Sequence, residues 1–388
     1  MNRKIMKWCV FASAGLLAVA GCCFGNGDSK HGDLSEHGKP IRRGDVLAAD
    51  GTSLAGIRPQ LMDGTVIRTT IDMNLQRQLS THVRAAYASN RAENAWGIII
   101  KVQTGEILSM VSVPDVETNE FGEVLSDRNN ALEMAFQPTT LMKPFTCAIA
   151  MNEGIVNADS VISQSDGLWR HGKDMTMRDR LPEPMTVTNA LKRHADIAIG
   201  KLAVEIGKER LVEYVKKLGS GTKVLKGELP HESVGWIWSN KIFDDHLLPW
   251  IGIGGYFQVT PIQIAKAYAT LANHGVEVVP YIISEIVDDN GRVLRRHAPD
   301  SSPEAIFSPE VADCIVAALP GGTPATTQMY KDRRFSYVDY VASYVGFSPA
   351  SNPEYVTVVG LSRPKGEHTG MKVAFPIFAA MLPVLDEL

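Results

Sequence analysis

Few residues in this chain stand at spacings that do chemistry unaided. Ser220-Gly221-Thr222-Lys223 and Ser362-Arg363-Pro364-Lys365 each set a hydroxyl three residues before an amine. On a helix that separation places nucleophile and base on one face. Neither tetrad reads as helix: glycines around the first favour a turn, and Pro364 breaks the turn the second would need. His171, His246 and His274 have no carboxylate or histidine at a suggestive spacing, which leaves them as solvated loop residues. Cys147 and Cys314 have no neighbours at metal-ligand spacing, so neither a zinc site nor another cofactor is expected. Cys147 lies in an apolar helical run and reads as a small buried hydrophobe. Trp169, Trp236, Trp238 and Trp250 could line a groove, though ordinary aromatic packing is the plainer reading.

Composition narrows the class. Over 388 residues, 39 Lys+Arg face 43 Asp+Glu, and 45% of the chain is hydrophobic against 21% charged. That balance excludes a disordered chain, a collagen-like repeat and a multi-span membrane protein. No excess of positive charge exists to neutralise phosphates, so nucleic acid is not an expected partner. At the N-terminus, Arg3, Lys4 and Lys7 precede an apolar run from Trp8 to Ala20, the pattern of an export signal. Val19-Ala20-Gly21-Cys22 resembles the lipobox of bacterial lipoproteins, with Cys22 as the residue that takes the lipid. The alternative is an uncleaved anchor, because the uncharged stretch extends to Gly25. Either way, residues 1–22 put the remainder outside the cytoplasmic membrane, tethered to its outer face. Residues 23–41 carry too few large apolar side chains to fold and read as a flexible tether.

The elements that must position any site follow from periodicity. Leu75, Leu79, Val83 and Ala86 recur at helical spacing between Met73 and Ala86. Two strands between Trp96 and Pro114 flank the turn Gln103-Thr104-Gly105-Glu106. Helices are expected from Leu141 to Glu153, from Val187 to Ile206 with Gly207 as the stop, and from Thr260-Pro261 to Gly275. Tyr337–Val345 and Glu354–Leu361 alternate as paired strands, and Phe375–Leu385 reads as a closing helix. Strands at both ends with helices between them indicate an α+β domain.

The order of several segments resembles the class B penicillin-binding proteins. Arg42–Ala55 is similar to the arginine-glycine segment after the membrane anchor, and Thr69–Gln76 with Val102–Asp115 to the opening of the transpeptidase domain. Arg128–Thr146 resembles the segment that carries the catalytic serine. Gly254–Gly275 and Tyr340–Lys365 match later landmarks in the same order. The resemblance implies the penicillin-binding transpeptidase or serine β-lactamase-like fold, an antiparallel sheet flanked by helices with a mostly helical lobe, over residues 67–388. It leaves 42–66 as a remnant of the family's pedestal. It also implies acyl transfer on peptidoglycan stem peptides ending in D-Ala-D-Ala, with β-lactams as mimics and other cell-wall or division proteins as partners.

Three motifs carry that chemistry in the family, and each is altered. The first, Glu-Pro-Gly-Ser-x-x-Lys-Pro, stands as Gln137-Pro138-Thr139-Thr140-Leu141-Met142-Lys143-Pro144, so the nucleophile position holds Thr140 and the lysine survives as Lys143. Its second motif, Ser-x-Asn, stands as His194-Ala195-Asp196. A carboxylate beside Lys143 would favour the ammonium, whereas a general base must be neutral. An ion pair between Lys143 and Asp196 is therefore expected; the competing reading makes His194 the substitute base. The third motif, Lys-Thr-Gly, stands as Thr323-Pro324-Ala325, without the lysine that anchors a carboxylate. Pro324 suggests a distorted or shortened strand, and the Ala325 methyl is expected where a substrate strand would lie. The resemblance implies an oxyanion hole from the backbone N–H groups of Thr140 and Thr326. His368-Thr369-Gly370 spells a third motif of some related peptidases, but it lies after the strands that should come behind that motif. Taken together, a non-catalytic domain is expected, the alternatives being a working Thr140 enzyme and a β-lactam or muropeptide sensor.

Overall fold

The computed structural model describes residues 46–50, 65–114, 117–118, 124–126, 128–172, 175–238, 243–288, 290–298, 303–331 and 334–388. Cys22, the expected signal, the tether and most of the 42–66 remnant lie outside the described residues. No described helix is long and apolar enough to cross a membrane.

Five strands form the central antiparallel sheet: β1 (Asn94–Lys101), β2 (Ile107–Val113), β3 (Gly322–Lys331), β4 (Arg334–Ser348) and β5 (Tyr355–Ser362). Their order is β3-β4-β5-β1-β2, which brings the end of the chain beside its beginning and leaves β3 at an edge. Every residue of β5 is buried, as a strand covered on both faces must be. Five helices cover the sheet or frame the cleft: α1 (Met73–Ser89), α2 (Lys143–Asn152), α3 (Asp196–Ile206), α4 (Pro261–Ala272) and α5 (Phe375–Leu385).

The two-residue alternation of the strands divides the core. Trp96, Ile98, Ile100, Val345, Val356 and Val358 face the helical lobe around α2–α4. Ala95, Ile99, Tyr344, Val359 and Leu361 pack against Leu75, Leu79 and Val83 of α1 and Ile377, Phe378 and Met381 of α5. Close cover demands glycine at two strand positions. A Cβ on Gly360 would lie 2.4 Å from the Trp96 ring, and one on Gly346 would lie 2.3 Å from Phe378. Helix α4 is buried along its whole length and starts with a reciprocal capping box between Thr260 and Gln263.

Two expectations need correction. The single helix expected from Val187 to Ile206 is two, Val187–Lys192 and α3, because His194 takes a left-handed φ of +54°. Histidine tolerates that region better than most residues, and the Asp179 carboxylate receives the Asp196 N–H at 2.7 Å, so the restart is capped. The strand at Pro324 is not shortened: β3 runs ten residues and pairs with β4 without a shift from Gly322↔Gly346 to Gln328↔Tyr340. Phe347 N–H donates to Gly321 O at 3.1 Å. By antiparallel alternation, Thr323, Ala325 and Thr327 then bond to β4, while Pro324, Thr326 and Gln328 direct their backbone groups to the open edge. Pro324 thus lacks an N–H that β4 would not have used.

Candidate active site

The segment Gln137-Pro138-Thr139-Thr140 enters α2 through a tight 3-10 turn, Thr139–Met142. Thr139 has φ +44°, a region β-branched residues rarely occupy. Two hydrogen bonds hold it there. Its N–H donates to Gly254 O at 3.0 Å. Its Oγ1 lies 2.8 Å from Thr327 Oγ1, which donates to the Gln137 carbonyl at 3.1 Å, so Thr139 is the donor between the two hydroxyls. Gly254, at φ +87°, must be glycine, since a Cβ would lie 2.3 Å from Thr139 O. Gln137 Oε1 accepts the Tyr256 N–H at 3.0 Å and fixes the loop after Gly254 to the same turn.

Lys143, the first residue of α2, is buried, and its ammonium donates in two directions. Its Nζ lies 2.6 Å from Asp196 Oδ1 and donates to His194 O at 2.8 Å. The lysine side chain is 5% exposed and the aspartate 41%, so the charge that reaches solvent belongs to the carboxylate. The His194 ring does not line the cleft, and its buried Nδ1 has no hydrogen-bond partner among the described residues. Burial, then the Lys143 charge, pushes the histidine below its ordinary 6.5, with Asp196 pulling the other way. What His194 contributes to the site is its carbonyl. Cys147 lies one turn further along α2; it is fully buried, and that burial pushes its thiol up to about 12.

Opposite this wall stands β3. Thr326 and Gln328 line the cleft with Thr140, Lys143 and Asp196, and Trp250, Tyr256 and Tyr340 complete a cavity of about 610 Å³. Thr326 Oγ1 accepts the Gly370 N–H at 3.0 Å. Thr323 and Ala325 do not line the cleft. Thr323 is 1% exposed and Ala325 3%, and both point into the core between sheet and helical lobe. The expectation that the Ala325 methyl occupies the substrate path is corrected: alternation along β3 sends it inward.

The other sequence candidates fall elsewhere. Ser220 sits in a turn between Gly219 and Gly221, both at positive φ, behind Leu141 and Phe145. Ser362 ends β5 and accepts from Asn94 Nδ2 at 3.0 Å. His368 stacks on Tyr340 with ring centroids 4.0 Å apart, in the loop before the C-terminal helices. His274 has a partner after all, Asp313 at 2.7 Å, a contact between segments too far apart in sequence for spacing to reveal. Of the tryptophans, Trp250 lines the cleft, whereas Trp238 is buried against Phe243 and Phe257. Tyr256, Gln328 and Asp179 carry no signal in the sequence. Nothing in hydrophobic period marks them, although Tyr256 directly follows the Gly254-Gly255 pair.

A hydroxyl–x–x–lysine turn facing an open strand edge across a cleft, on an antiparallel sheet covered by helices, defines the class of penicillin-binding transpeptidase domains. The family model described as the penicillin binding protein transpeptidase domain matches residues 96–383, and the chain belongs to that family. It is 27% identical over 373 residues to penicillin-binding protein PbpB of Mycolicibacterium smegmatis, covering 85% of this chain and 56% of that protein. It is 26% identical over 338 residues to the peptidoglycan D,D-transpeptidase FtsI of Escherichia coli, covering 81% and 54%. The chain therefore matches little more than half the length of these relatives. Among solved structures, the transpeptidase domain of penicillin-binding protein 3 from Burkholderia pseudomallei superposes with a TM-score of 0.70 at 24% identity, covering 81% of this chain and 94% of that one. Penicillin-binding protein 3 from Mycobacterium tuberculosis, complexed with ampicillin, gives 0.75 at 19%, covering 90% and 96%.

Proposed function

We propose that this protein is a non-catalytic member of its family, a membrane-tethered scaffold on the extracytoplasmic face that serves peptidoglycan synthesis or cell division. One observation carries the reading: Lys143 Nζ donates to both Asp196 Oδ1 and His194 O. Acyl transfer by Thr140 requires its Oγ1 to attack a carbonyl while a base takes the hydroxyl proton. Lys143 is the amine one turn away, and a lysine held as donor to a carboxylate and a carbonyl presents protons where a base must present a lone pair. His194 supplies no substitute, because its ring lies outside the cleft. The anion-anchoring position holds the inward-facing Thr323. Groups that act as a unit fail together, so these changes compound.

A second reading, acyl transfer by Thr140, is favoured by one feature. Thr140 and Thr326 line the same cleft, and the Thr326 N–H faces the open edge, where it could donate to a developing oxyanion. Incubating the full-length protein in detergent with a fluorescent penicillin, followed by intact-mass spectrometry, separates the readings. The scaffold reading expects no covalent adduct; an acyl ester mapped to Thr140 would overturn it. Saturable, non-covalent muropeptide binding without an adduct would instead indicate a sensor. Membrane fractionation with and without Cys22→Ser tests the lipid anchor.

A further inference from the structure

We propose that the cleft binds an extended internal segment of a partner protein, gripping it by a lysine or arginine side chain. This rests on the non-catalytic reading, since a cleft that turned over acyl chains would be shaped for a different ligand.

Charge comes first. Among the described residues that line the cleft, the one cation is Lys143 and the one anion is Asp196. The ammonium is nearly enclosed and already holds two acceptors, whereas the carboxylate is 41% exposed. A ligand entering the cleft therefore meets the exposed carboxylate of an ion pair whose ammonium is turned inward. A chain-terminal carboxylate finds no available counter-ion there and faces Asp196 instead, while a basic side chain finds a partner.

The walls fit the same occupant. Trp250, Tyr256 and Tyr340 surround the cavity, and aromatic rings hold guanidinium and ammonium groups through their negative faces while packing the apolar stem. The backbone groups of Thr326 and Gln328 on the open edge of β3 can pair with an extended chain, as in strand addition. Pro324 interrupts that ladder on one side and so fixes how far the added strand runs. An internal segment satisfies all three features. A peptide recognised by its free carboxyl end satisfies only the ladder.

The test uses full-length protein in detergent and fluorescence anisotropy with N-acetylated, C-amidated pentapeptides that differ at the central residue. The lysine probe is expected to bind at least about tenfold more tightly than the norleucine probe, with the glutamate probe weaker still. Raising salt from about 50 to about 500 mM should weaken the lysine probe severalfold and leave the norleucine probe unchanged. Asp196→Asn should abolish the lysine preference. Trp250→Leu, which leaves the ion pair in place, should weaken binding at least about threefold, with circular dichroism verifying the fold. Equal affinity for lysine and glutamate probes, salt-independent binding, no binding by any probe, or preference for a free-acid stem pentapeptide would each overturn the proposal. Its failure is distinct from failure of the non-catalytic reading on which it rests, which the penicillin adduct decides.

Discussion

The two walls of the cleft are built on different principles. The helical wall is irregular: Thr139 and His194 both sit at positive φ, Gly254 is pressed against Thr139, and a nearly enclosed ammonium is tied to a carboxylate across two helices. The strand wall is regular: β3 alternates inward Thr323, Ala325 and Thr327 with outward Thr326 and Gln328, in unbroken register with β4 as far as Gln328. On the strand wall, alternation alone decides which side chains face inward. On the helical wall each departure needs a specific partner. A cleft can thus hold its shape with different polar groups along it, provided those groups satisfy one another.

The largest effect should come where the helical wall has no slack. Gly254→Ala drives a Cβ into the Thr139 backbone at a left-handed position and is expected to destabilise by about 3 kcal/mol, measured by urea melts. Next, Asp196→Ala leaves the enclosed Lys143 ammonium with one acceptor and should cost about 2–3 kcal/mol. Lys143→Met combined with Asp196→Ala should recover at least half of that, and purely additive losses would show that the pair is not coupled. Smaller still, Thr139→Val removes the donor to Thr327 while keeping the strained backbone, for a loss of about 1 kcal/mol; Thr139→Ser should stay within about 0.5 kcal/mol of the wild type.

His194 sharpens the same contrast through pH. Its folded-state value lies below its ordinary 6.5, so the unfolded chain takes up the proton first. This contribution is fully present above pH 6.5 and is lost as pH falls towards the folded value. The melting temperature of the wild type should fall across that window more steeply than that of His194→Gln, and parallel curves would remove the assignment. On the strand wall, Pro324→Thr restores an outward N–H that β4 does not need, and a change within about 0.5 kcal/mol is expected. A loss above about 2 kcal/mol would mean that β3 is not a tolerant wall.

Much of the fold was legible because periodicity reports burial. Leu75, Leu79 and Val83 marked α1, the runs on either side of Gly105 marked β1 and β2, and Thr260-Pro261 marked the start of α4. The break at His194 was not legible, since an apolar run from Val187 to Ile206 looks the same whether or not one residue turns left-handed. In the site, the family resemblance singled out Thr140, Lys143, Asp196 and Thr326, and all four line one cleft. It could not show that Ala325 faces inward, because facing depends on which residues of β3 bond to β4. Nor could it find Asp179, which reaches the start of α3 from 17 residues upstream. Such contacts are properties of the folded chain and leave no period behind.

Pro324 has one more consequence. An edge strand of ten residues is an invitation to neighbouring copies of the same molecule, which could continue the sheet from one subunit to the next and aggregate. By removing one donor near the start of the exposed ladder, the proline limits that growth. The molecule can then offer a short stretch of edge without seeding polymers of itself.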